Sequence, residues 1–151
     1  AFGFLRDSDA ISMNGDRLIQ DAKQEVLNLN AAGYVAFYVE DDDLILFNAG
    51  WVQIPFDYYF ETYEEGYSIR VEKHGVPLDL FDSGVLEPEM TTNDIPGLIS
   101  LVRGHNRVWL IYRHDSYTDP MGLIPQTLAS QRKLIRTRDF YGGQVQLYGN
   151  P

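Results

Sequence analysis

The chain has 151 residues, with 22 acidic and 12 basic side chains, a formal net charge of -10 and no cysteine. Thiol catalysis, thiolate metal sites and disulfides are excluded, and so negative a field repels nucleic-acid phosphates and anionic lipid heads on average. A chain of this length and 44% hydrophobic content can bury roughly 68% of its unfolded surface, so one domain is expected to fold without metal or disulfide staples. The charge is uneven: residues 101–151 carry three acids and seven bases, the reverse of the rest of the chain. That segment can offer a local anion site.

Residues 1–15 lack a period and read as a loop or linker, followed by a single domain over 16–151. From Asp16 to Ala32 the apolar positions Leu18, Ala22, Val26 and Leu29 recur at helical spacing, with Gly33 as a stop. Tyr34 to Val39 favours strand by composition. After the acidic run Glu40 to Asp43 comes Leu44-Ile45-Leu46-Phe47, a continuous apolar run of the kind buried on both faces of a parallel sheet. The uncharged stretch Leu44 to Phe56 spans 13 residues, too short to cross a bilayer, which takes about 20.

Gly50 to Gln53 read as a loop, and Pro55 opens the next helix, where Phe56, Tyr59, Phe60 and Tyr63 form one aromatic face. Tyr67, Ile69 and Val71 alternate with polar residues and predict a strand. His74 to Glu89, with two prolines and two glycines, predicts a long loop. Thr92 or Asn93 is expected to cap a helix carrying Ile95, Leu98, Ile99 and Val102, closed by Gly104. Val108 to Tyr112 is the second apolar strand. Asp119-Pro120 signals a helix start, with Met121, Ile124 and Leu128 as its buried stripe. Leu134 to Phe140 and Gln144 to Tyr148 flank a Gly-Gly turn and predict antiparallel pairing. The expected fold is α/β: a three-layer, Rossmann-like mixed sheet with helices on both faces and a C-terminal antiparallel hairpin.

No phosphate loop, dinucleotide fingerprint, HExxH or serine elbow is present. No cofactor and no metal is expected. In open parallel sheets ligands sit beyond the carboxyl ends of the strands, which points to two loops. The first offers Asn48, Trp51, Gln53 and Tyr58, amides and aromatic faces suited to a neutral polar ligand such as a sugar. The second is 114–119, where His114 and Asp115 form a candidate base and its orienter beside Ser116. Both follow apolar strands expected to be parallel, so together they predict a shared crevice. Asp79, Asp82, Glu87 and Glu89 match no metal-binding spacing and read as solvated, and His105 reads as a surface turn residue.

Four segments carry a resemblance: WVQIPFDYYF at 51–60, GVPLDLFD at 75–82, VWLIYRHD at 108–115 and RDFYGGQVQLY at 138–148. In this order they resemble the soluble region that follows the transmembrane helices in bacterial membrane proteins of the dolichyl-phosphate-mannose-protein mannosyltransferase superfamily (glycosyltransferase family 39-like). The match runs from about residue 15 to 149. It implies a domain of a larger membrane protein on the extracytoplasmic side of the bacterial cell membrane. Such enzymes transfer a sugar from a polyprenyl-phosphate donor. Their essential acids lie in loops of the membrane part, so the resemblance assigns no catalytic residue here. It implies an accessory role, with the membrane-embedded part of the same polypeptide as partner and a glycan or polyprenyl-phosphate sugar as ligand. The alternatives are a self-sufficient hydrolase-type enzyme using the His114 region, and a purely structural or protein-interaction domain.

Overall fold

The computed structural model describes residues 31–48, 53–67 (backbone alone for 62–67), 69–77, 89–113, 118–140 and 143–150. Among them are four α-helices and a five-stranded mixed sheet, a mixed α/β fold. In chain order these are α1 (described over 31–38), β1 (Leu44–Phe47), α2 (Gln53–Tyr67), β2 (Glu72–Gly75), α3 (Ile95–Arg103), β3 (Val108–Arg113), α4 (Leu123–Gln131), β4 (Lys133–Phe140) and β5 (Gly143–Gly149). The strand order is β2-β1-β3-β5-β4. β1 pairs parallel with β2 and β3, while β5 pairs antiparallel with β3 and β4.

All four side chains of the apolar run at 44–47 are buried. Strand alternation divides them. Ile45 and Phe47 pack with Ala31, Ala32 and Val35 of α1 and with Phe56 and Phe60 of α2. Leu44 and Leu46 pack with Leu98 and Val102 of α3 and with Ile124 and Leu128 of α4. β3 divides in the same way, Trp109 and Ile111 to the first cluster, Val108 and Leu110 to the second. Leu46 stands opposite Leu110 in the parallel register.

Several boundaries differ from the sequence expectation. Residues 34–38, with strand-favouring composition, continue a helix through Gly33. Ala31, Ala32 and Val35 are buried there while Phe37 is 80% exposed. A one-sided burial at helical spacing outweighs β propensity. Residues 53–67 are helical throughout, so Tyr67 ends a helix, and the strand begins only at Glu72. His74 and Gly75, expected in a loop, belong to that strand.

A 3-10 turn over Thr92–Asp94 precedes α3, and its cap is Thr91, whose N–H and hydroxyl both donate to the Asp94 carboxylate. Asp119 does cap the next helix, but from a distance. Its oxygens accept from Leu123 N and Ile124 N at 2.8 and 3.0 Å, and α4 starts only after Gly122. Gly122 stands at φ 66°, a left-handed conformation that a Cβ disfavours. Pro120 and Met121 therefore form a turn, and Met121 is 71% exposed instead of buried. The expected helix over 16–30 lies outside the described residues.

Candidate functional site at the carboxyl ends of the parallel strands

The chain leaves β1 for β2 on one side, then returns across β1 to place β3 on the other. This reversal creates a switch point between β1 and β3, where open α/β sheets place their ligands. Here the position belongs to Asn48, the residue after β1. It is fully buried. Its Nδ2 donates to Arg113 O at 2.9 Å and to Thr118 Oγ1 at 3.1 Å, and its Oδ1 accepts from Arg113 N at 2.8 Å. Thr118 in turn accepts Met90 N on its carbonyl at 2.7 Å. One amide thus ties the ends of β1 and β3 to the segment before α4 and, through it, to the entry into α3.

β1 and β3 run parallel, so Asn48, Arg113 and Thr118 meet at one sheet end, while the crevice expected between the two loops falls on residues outside those described. Trp51, His114 and Asp115 lie outside the described residues, as do Ser116, Asp79, Asp82 and Glu87. Gln53, in the first turn of α2, donates to Asp57 Oδ2 at 3.1 Å, and Asp57 Oδ1 pairs with Lys73 Nζ at 3.1 Å. Tyr58 is 75% exposed and meets Tyr59 edge to face at 5.1 Å. A cavity of about 270 Å³ opens at this same end, between Val76 and Pro77 after β2 and the residues Asn93, Asp94 and Gly97 around the start of α3. Sequence reasoning missed it, because neither wall carries a chemical motif.

A second polar cluster sits at the opposite end of the parallel strands. Asp43 is buried beneath Arg107, accepting Trp109 Nε1 and Glu40 N, each at 2.9 Å. Arg107 Nε lies 3.3 Å from Asp43 Oδ1, close enough for charge attraction but not aligned as a hydrogen bond. Burial pushes the Asp43 carboxyl above its usual range, and the two hydrogen bonds and Arg107 oppose this. Arg107 also pairs with Glu40 and donates to Tyr38 O.

His105, read from sequence as a surface turn residue, is enclosed and doubly engaged. Its Nδ1 lies 2.8 Å from Asp42 O and its Nε2 lies 2.8 Å from Glu72 Oε2. The ring thus stands between the Asp42 carbonyl and the Glu72 carboxylate and links the turn after α1 to β2. The His105 bond holds the Glu72 carboxyl below its usual range, with His74 Nε2 at 3.5 Å assisting. Around them the acidic turn at 40–43 and the residues 103–107 enclose about 370 Å³. Its charges are largely compensated within the protein, which makes this end a brace between β1, β2 and β3.

Among the described residues, no group of three or more His, Asp or Glu side chains is set to hold a metal ion. No described helix is long and apolar enough to cross a membrane. No family model matches the chain, and no curated protein matches it.

Proposed function

We propose that the chain is an accessory domain of a polyprenyl-phosphate-sugar-dependent membrane glycosyltransferase, related to the dolichyl-phosphate-mannose-protein mannosyltransferase superfamily and without catalysis of its own. The reading starts from the order of the four resembling segments. The observation that carries it further is Asn48: at the switch point, where an α/β enzyme presents a group to its ligand, both atoms of this amide are spent on main-chain and hydroxyl partners. The finer architecture belongs to the same proposal: a three-layer, Rossmann-like domain over 16–151, with helices on both faces and β4 and β5 joined as a hairpin. Its place is the extracytoplasmic side of the bacterial membrane, beside the membrane-embedded part of the same polypeptide. There it positions acceptor or donor.

The coding sequence upstream tests this reading. A series of apolar stretches of about 20 residues each is expected. An upstream region without any such stretch contradicts it.

A further inference from the structure

Of the twelve basic residues in the chain, four fall between 132 and 138. Arg132 spends its guanidinium on the carbonyls of Val102, His105 and Gln131. The other three are different. Lys133, Arg136 and Arg138 are exposed on β4, the edge of the sheet, and none pairs with a carboxylate among the described residues. Arg136 and Arg138 project from the same side of the strand. Arg136 lies 3.8 Å from the centre of the Tyr38 ring, and Arg138 lies 5.5 Å from that of Tyr34. An aromatic backing holds a guanidinium in place without neutralising it. Beside Tyr38, at 4.8 Å between rings, stands Phe37, 80% exposed.

Cations on an edge strand can serve to block strand addition. The register shift between Leu134 and Arg136 works in the same direction. Both features argue against a partner strand joining β4. Neither accounts for the exposed Phe37, nor for arginines left on rings in a chain with ten surplus acids.

We propose that this edge docks on the surface of an anionic phospholipid bilayer, with Lys133, Arg136 and Arg138 against the phosphates and Phe37 among the headgroups. The mean charge of the chain opposes such contact, but screening limits its reach to about 8 Å at physiological salt. The acids nearby are engaged: Glu40 pairs with Arg107, and Asp139 accepts from Gln144 on the other side of the strand. Cations near such a surface together with an inserted aromatic ring form a known mode of interfacial attachment. The inference deepens the accessory-domain reading, since it states which surface of the domain faces the bilayer.

The test is co-sedimentation of the chain with phosphatidylcholine vesicles, with and without phosphatidylglycerol. Binding is expected only with phosphatidylglycerol and should fall as salt rises. Replacing both arginines (R136Q with R138Q) should weaken it about tenfold or more. F37S, which leaves every charge in place, should weaken it as well. R70Q removes a cation far out on the surface, 81% exposed and paired with Asp41, and should leave binding unchanged. Circular dichroism melts check that each variant is folded. Failure to bind phosphatidylglycerol vesicles, equal loss in R70Q, or binding of polyglutamate in place of vesicles each overturns the docking proposal. None of these bears on the upstream coding sequence, so docking can fail while the accessory reading stands.

Discussion

The side chain of Asn48 holds the main chain of Arg113 at both of its polar atoms, accepting from its N–H at 2.8 Å and donating to its carbonyl at 2.9 Å. The two residues are 65 positions apart. A side-chain amide here replaces the ladder that would continue β1 along β3, and its second N–H fastens Thr118. The end of β1 is thereby fastened both to β3 and to the segment before α4.

Asn48→Ala should cost about 2–4 kcal/mol, because it removes three hydrogen bonds made by a fully buried amide. Chemical denaturation of the variant measures this. A loss under about 0.5 kcal/mol would mean that water or another side chain replaces the amide without penalty.

Leu46 and Leu110 face each other on adjacent parallel strands and are both fully buried. Leu46→Ala and Leu110→Ala should each lower stability by about 2–5 kcal/mol. Since they touch the same cluster, the double variant should depart from the sum of the singles. Additive losses would place the two side chains in separate environments.

The bond from His105 lowers the Glu72 carboxyl from its ordinary value of 4.5. Below that value the unfolded chain takes up a proton that the native one resists. The stabilisation is therefore complete above about pH 4.5 and drains away as pH falls through the native value. Glu72 is half-exposed, so solvent keeps the effect within about 1 kcal/mol. Stability measured from neutral to acid pH should fall less steeply in Glu72→Gln. An identical slope would show that the His105 bond contributes nothing in solution.

The parts of this fold legible in the sequence are those where composition and burial agree. The runs at 44–47 and 108–111 are apolar at every position and buried at every position, so no alternation was needed to find them. Residues 34–38 misled because Tyr, Val and Phe suit strands, whereas the rings of this segment work from a helix, Tyr34 against Trp109 and Phe140. The brace around His105 was hidden for another reason. Its partners Asp42 and Glu72 lie 63 and 33 positions away, and only the parallel register brings them together. The role of Asn48 was half legible: its place after an apolar strand pointed to the switch point, but whether the amide faces a ligand or the protein depends on where Arg113 and Thr118 end.

The most direct measurement is sugar transfer from a polyprenyl-phosphate donor, run with the purified chain and with the polypeptide specified by the complete coding sequence. The accessory reading predicts transfer by the full polypeptide and none by residues 1–151 above a protein-free control. Transfer by the chain alone, abolished by a substitution within it, would contradict the account.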